Sequence, residues 1–438
     1  SMVITGVNFT NSGTMNLNHV SNFADIVGTG TLVNIGALNA QTANETGIGT
    51  LFDNGGVFTL SGGLVNLQSD AINGGLINIG STSTLAMNGN IIMSLIAGSD
   101  FTGSLGNFEI QSGETLDVTV PQILPAGMTL SLLGGGFINN AQNLTIPDTF
   151  NVTGGTLNGI GTFTTPSTST TTYTGGGGLI TNIAWDNGGI FNFNSTSNSM
   201  VITGVNFTNS GTMNLNQTSS FADIVGTGTL NNTGTLSVVS AVQTDISAAF
   251  TNSSGSIVLL PSSSLSLNGT TLTLGAGGTL SGDDGTFVGS VIAESGSTID
   301  PGLSPVTAGT LFITGNVDFQ SGSIFDVVFS GSSAVDFDLL NVNGNVTSGT
   351  GATIKVRGVG GFLGQLAQNF DVITAVSLDP SGFTVDDDPN FSVSPTLFGA
   401  GALRLTVTGL TNFWQAGAGI GSWNTSTNWS RGVPNPDH

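Results

Sequence analysis

The 438-residue chain contains no cysteine, which excludes disulfide frameworks and thiolate metal sites and leaves stability to stacking and burial. Basic side chains are almost as scarce. Lys355, Arg357, Arg404 and Arg431 are the whole set, so residues 1–354 carry no Lys or Arg. Only 7% of residues are charged, against about 25% in an average soluble protein. Of the 26 acidic residues, 20 lie in the basic-free part and six follow it, dividing the net charge of −22 into −20 and −2. Nucleic acid, anionic lipid and polyanionic glycans all need Lys or Arg to displace their counterions, so nucleic-acid binding is excluded. No run reaches the ~18 apolar residues of a membrane span, and the opening SMVITGVNFT has neither the basic nor the apolar region of a signal peptide. Strong helix formers are few, and no apolar pattern recurs at the 3.6-residue helical period.

What remains is rich in turn-formers and apolar side chains. The chain has 67 Gly, 26 Phe and 38% hydrophobic residues, too much apolar surface for a disordered segment. Gly, Asn, Ser and Thr in this abundance suit a fold that turns every few residues. The fold is expected to be all-β.

Repetition identifies the architecture. Residues 1–38 recur at 199–236, an offset of 198, with the first 18 positions identical and 32 of 38 matching overall. Within each block a shorter unit returns: an apolar residue, any residue, Asn, any residue, Gly. It occurs at Phe9–Gly13, Leu32–Gly36, Phe52–Gly56 and Ala71–Gly75, then at Trp185–Gly189, Phe207–Gly211 and Leu230–Gly234. A variant follows at Phe250, with Asn252 and Gly255. A period near 20 residues made of short alternating strands is one turn of a parallel β-helix. Inward apolar residues then alternate along each strand, as in Thr212-Met213-Asn214-Leu215. Asn and Gly at fixed offset suit the corner because both tolerate positive φ, and Asn stacked from coil to coil can form a side-chain ladder. The expected fold is a right-handed parallel β-helix of about 20 residues per coil. Its blocks are 1–163 and 179–410, separated by a low-complexity junction or loop at 164–178. A second loop is expected at 376–396, and a Trp-rich unit at 411–438.

Residues 278–360 resemble the C-terminal passenger region of autotransporter and filamentous-haemagglutinin β-helix proteins. The features are Gly278-Thr279-Leu280, Pro301-Gly302-Leu303-Ser304-Pro305, Gly309-Thr310-Leu311 and Asp338-Leu339-Leu340-Asn341-Val342-Asn343-Gly344. The segment Trp414–Pro434 resembles a unit that heads new blocks in large repetitive bacterial surface proteins, so the chain is expected to be part of a longer polypeptide. The resemblance implies an extracellular or cell-surface bacterial protein. Its partners would be surface glycans or proteins of a host or neighbouring cell, or copies of itself meeting laterally or end to end.

Parallel β-helices also carry polysaccharide lyases and hydrolases. A lyase acting on uronates needs a basic residue to bind the carboxylate, which residues 1–354 lack. A hydrolase needs paired carboxylates facing a groove, and the candidates are Asp283/Asp284, Glu109/Glu114 and Asp336/Asp338. Asp283-Asp284 sits in Gly-Asp-Asp-Gly and reads first as a turn, and Asp336 and Asp338 read as solvated strand residues. His19 becomes Gln217 in the second copy and His438 is terminal, so neither serves as a catalytic base. Asp386-Asp387-Asp388 with Asn390, or Gly282–Gly285, could offer oxygen ligands to calcium, without matching a spaced calcium motif. The Thr-rich run Gly28-Thr29-Gly30-Thr31 does not recur coil after coil, as an ice-binding ladder would require. The expectation is therefore no enzyme, with no catalytic, cofactor-binding or metal residue assigned.

Overall fold

The computed structural model describes residues 1–18, 24–41, 44–219, 223–304, 306–399 and 401–411. His19, Pro305, His438 and the Trp-rich unit from residue 412 lie outside them. Every regular element described is a β-strand. The strands stack in parallel as a β-solenoid of about 22 residues per turn. The chain forms two compact units, Ser1–Thr251 and Asn252–His438.

In the first unit the repeat positions align as the sequence implies. Asn8–Asn11 pairs in register with Thr31–Asn34, which pairs with Leu51–Asn54, and Phe52–Asn54 pairs with Ala71–Asn73. Past the corner, Thr14–Leu17, Ala37–Ala40, Val57–Leu60 and Leu76–Ile79 form a second parallel stack. Period-2 alternation sends Leu32, Phe52, Leu38, Phe58, Leu60 and Ile79 inward, where all are fully buried. Phe52 and Phe58 meet edge-on across the corner at 5.2 Å.

The corner asparagines form a continuous ladder. The side-chain amide of Asn11 donates to Asn34 Oδ1 at 2.8 Å, Asn34 to Asn54 at 2.8 Å and Asn54 to Asn73 at 2.7 Å. The same amides also donate to Ala37 O, Val57 O and Leu76 O at the head of the following strands. In the second copy Asn187 donates to Asn209 and Asn209 to Asn232. An asparagine amide both donates and accepts, so it can satisfy a neighbour above and below in a dry corner. Each buried polar group left unpaired there would cost about 1–3 kcal/mol.

Positive φ is not the reason for Asn and Gly at these corners. None of Asn11, Asn34, Asn54 or Asn73, nor Gly13, Gly36, Gly56 or Gly75, lies in the left-handed region. Glycine is needed because coils approach closely. A Cβ on Gly36 would stand 2.1 Å from Gly13 O, one on Gly56 2.3 Å from Gly36 O, and one on Gly75 2.2 Å from Gly56 O.

The low-complexity stretch 164–178 is a coil and not an extruded loop. Thr170–Tyr173 pairs with Thr149–Val152 on one side and Ile190–Phe193 on the other. Thr171 and Tyr173 point inward and are buried, and the Tyr173 hydroxyl donates to Gly177 O at 2.7 Å. Around it runs an aromatic column: Phe150, Phe163, Trp185 and Phe207 follow one another at centroid distances of 5.2, 4.9 and 5.0 Å. The compact units divide between Thr251 and Asn252, away from the expected junction.

The second unit repeats the parallel stacking with longer turns: Asn345 pairs with Ser377, 32 residues on. The expected loop 376–396 contains three strands, Ser377–Asp379, Phe383–Asp386 and Phe391–Phe398. Here parallel order ends. Ala402–Leu410 lies antiparallel between Asn369–Thr374 and Phe391–Phe398, and Phe329, Phe337, Phe362, Phe370 and Phe391 cluster beneath it. No helix among the described residues is long and apolar enough to cross a membrane.

Candidate functional site

The carboxylates singled out from sequence are mostly engaged in holding the backbone. Glu114 is buried, and its oxygens accept the N–H groups of Gly89, Asn90 and Ile91 one coil away. Glu109 accepts instead from Asn107 and Gln111. Asp283 and Asp284 turn the corner between Thr279–Gly282 and Gly285–Val288, with Asp284 at a φ of 52°. Asp284 N–H donates to Thr310 O at 2.7 Å, and Asp283 faces the Thr310 N–H at 3.4 Å. In the expected calcium loop, Asp388 accepts Gly358 N–H and both Asn390 donors at 2.8 Å, and Asp387 accepts Val393 N–H. Among the described residues no three His, Cys, Asp or Glu side chains are placed to share a metal ion.

Asp338 corrects its expected place on the surface. It is 0% exposed, and its two oxygens accept Gly309 N–H at 2.8 Å and Val328 N–H at 2.7 Å. Burial pushes its carboxyl up to about 8, against the pull of those two donors. Asp336 next to it does lie at the surface, accepting Ser333 N–H. Two further acids belong with Asp338 and were not anticipated. Burial raises Asp300 to about 6. Asp326 pairs with Arg357 at 2.6 Å. The signal was available: Asp326 interrupts the apolar run Ile324–Phe329, and Arg357 arrives one coil later as one of the first basic residues.

The surface feature best suited to meet a ligand is an outward row of one carboxylate and three amides in the first unit. Asp117, Asn139, Asn158 and Asn182 are register neighbours on four successive coils. Asn182 donates to Asn158 Oδ1 at 2.7 Å, Asn158 to Asn139 at 3.2 Å and Asn139 to Asp117 at 3.1 Å. All four are partly exposed. Asp117, Asn139 and Asn158 line a shallow trough with Thr119, Ala141 and Ile160. Ile160 is 92% exposed at the tip of a bulge between Asn158 and Thr162. The bulge is enforced by its flanking glycines: a Cβ on Gly159 would lie 2.0 Å from Asn140 O, and one on Gly161 1.9 Å from Gln142 O. The same Gly-x-Gly bulge occurs at Gly28-Thr29-Gly30 and Gly226-Thr227-Gly228, where a Cβ on the first glycine would strike Ile4 O and Ile202 O. Those carry Thr at the tip and this one carries Ile. An isoleucine displayed on a rigid bulge beside hydrogen-bonding amides and a carboxylate pairs apolar and polar recognition within one trough.

Comparison with known protein families and with curated proteins gives no match to either.

Proposed function

We propose that this chain is a structural and adhesive β-solenoid module of a large bacterial surface protein, acting outside the cell by binding surface carbohydrate without chemical turnover. The observation that carries the reading is the outward row Asp117–Asn139–Asn158–Asn182 beside Ile160. Asn139, Asn158 and Asn182 at coil spacing, ~4.8 Å apart, offer repeated amide donors and acceptors to sugar hydroxyls, and the Asp117 carboxylate at the end of the row adds an acceptor. The acidic surface, with no basic residue before Lys355, directs the choice to neutral glycans over polyanionic ones. The resemblance of residues 278–360 to autotransporter and haemagglutinin passengers supports the same setting.

The alternative is a polysaccharide hydrolase on the same scaffold. Its best acid is Asp338, whose raised carboxyl suits a proton donor, but that group is fully enclosed by protein. The two readings part in one experiment: the chain is incubated with a panel of neutral polysaccharides, and both retention and new reducing ends are measured. Retention without new ends is expected, weakened by Asn158→Ala and by Ile160→Ser. New reducing ends that vanish with Asp338→Asn or Asp283→Asn would establish the enzyme instead.

A further inference from the structure

Parallel pairing carries one outward position through successive coils of the first unit. Thr129, Thr149, Thr170, Ile190, Thr212 and Thr235 are register neighbours in that order. The steps between them are unequal, so a fixed-period reading of the sequence does not find the column. Two residues further along the strands, a second outward column holds Asn151, Thr172, Asn192, Asn214 and Ser237. Neither column contains a charged residue, in a chain of formal charge −22. Outward positions on the other strands of the unit include Asp53, Asp117 and Asp186.

Every member of the first column is β-branched. Thr and Ile both carry a γ-methyl, and two heavy atoms on Cβ restrict χ1, so the methyls stand in a stiff row. The hydroxyls beside them are left open. Thr149 alone of the five threonines turns its hydroxyl to a protein group, Asp148 at 3.1 Å. The other four have no protein partner among the described residues. Threonines just past strand ends behave differently: Thr119, Thr174 and Thr233 donate to backbone carbonyls one coil away. In the second column Asn214 donates to Asn192 Oδ1 at 2.9 Å, which fixes both amides. The result is a two-dimensional array, with groups ~4.8 Å apart from coil to coil and about 6.6 Å apart along each strand. Both repeats are near those of the oxygens on the prism face of ice.

We propose that this face binds ice, holding the outermost layer of water in the arrangement of the crystal. The γ-methyls restrict the water lying over them, and the open hydroxyls and amides anchor it through donors and acceptors. Side chains already confined to one rotamer lose little entropy on meeting a rigid lattice. The lack of charge matters equally, because an ionised group orients its own hydration shell against the lattice. The apolar Ile190, 43% exposed, continues the methyl row where a hydroxyl is missing. The proposal does not rest on the carbohydrate reading. The trough beside Ile160 is built on other strands, Thr115–Val118, Phe137–Asn140 and Gly155–Thr165.

The test places the full chain in a frozen sucrose dispersion held just below its melting point and follows ice-grain growth by microscopy. The parent is expected to suppress growth. Thr170→Tyr combined with Thr212→Tyr lifts two rings above the array and is expected to lose the suppression. Thr208→Tyr, outward on Asn206–Asn209 around the corner from Thr212–Leu215, is expected to keep it. Amide exchange at Phe191 and Met213 reports whether each variant is folded. Should the tyrosine pair unfold the chain, Thr170→Ser with Thr212→Ser removes only two methyls and is expected to weaken suppression. Grains growing with the parent as fast as in buffer, or equal suppression by the parent and a folded pair, would overturn the proposal. So would loss of neutral-polysaccharide retention in the tyrosine pair with grain growth unaffected, which would give the face to a glycan.

Discussion

The two units meet the same demand, a polar corner inside a dry stack of coils, with different chemistry. The first relies on neutral amides. Asn11, Asn34 and Asn54, and later Asn187 and Asn209, each pass a side-chain hydrogen bond to the corner asparagine of the next coil. The second relies on Asp338, whose two carboxyl oxygens accept from Gly309 and Val328. An amide donates as well as accepts and so hands a bond on from coil to coil, whereas the two bonds at Asp338 both end on its oxygens. The difference extends to how order stops. Among the described residues of the second unit, parallel order gives way to an antiparallel pair fastened by Arg404, which donates twice to Asp371 and lies 3.5 Å from the Phe398 ring centroid.

The sharpest way to break the first unit is through its aromatic column. Trp185→Ala removes the ring that touches Phe150, Phe163, Phe191 and Phe207. A loss of about 3–5 kcal/mol is expected in urea unfolding, from the cavity left in a close-packed core. Next is the ladder. Asn209→Ala deprives the Asn187 amide of its acceptor and Asn232 of its donor, for an expected loss of about 2–3 kcal/mol. Asn158→Ala lies on the outward row, and its stability should stay within about 0.5 kcal/mol of the parent while carbohydrate retention falls.

The second unit should respond to pH where the amide ladder cannot. Asp338 and Asp300 are both raised by burial, to about 8 and about 6, so their protonated forms are favoured in the folded state. Their contribution is fully present below the ordinary carboxyl value and is lost as pH rises through about 6 and then about 8. Hydrogen exchange at Gly309 and Val328 should accelerate over that range by more than the intrinsic base-catalysed increase. Asp338→Asn should flatten the excess, while exchange around Asn34 and Asn54 should show only the intrinsic trend in both proteins. An equal excess in both units would remove the proposed distinction.

Much of this was legible in the residues because the coil repeats its own requirements. The spacing of the Asn-x-Gly corners located the ladder, and the alternation in Thr212–Leu215 located the inward face. The ladder is interrupted between Asn73 and Asn187 because Leu95 pairs with Asn73 and Val118 with Leu95, and the buried Asn140 that returns to this register stands between Val118 and Gly159. Burial alone satisfies such a corner, so no motif marks it. Thr170–Tyr173 was hidden by composition, since threonine serves equally at a loop or on the outward positions of a strand. Asp338 was misplaced because it stands just before its strand, Leu339–Val342, and turns onto the N–H groups of Gly309 and Val328, which an alternation pattern does not reveal. The Ile160 bulge shares its Gly-Ile-Gly signature with Gly47-Ile48-Gly49, whose isoleucine is fully buried, so only the structure separates a displayed isoleucine from a core one.

The absence of cysteine allows the register itself to be tested. Thr208 and Asn231 are outward-facing register partners on adjacent coils, at a separation within the range a disulfide spans. Thr208→Cys combined with Asn231→Cys should oxidise readily to an intramolecular disulfide, and Thr208→Cys combined with Thr229→Cys should not. Failure of the first pair, or equal oxidation of both, would contradict the in-register stacking of coils.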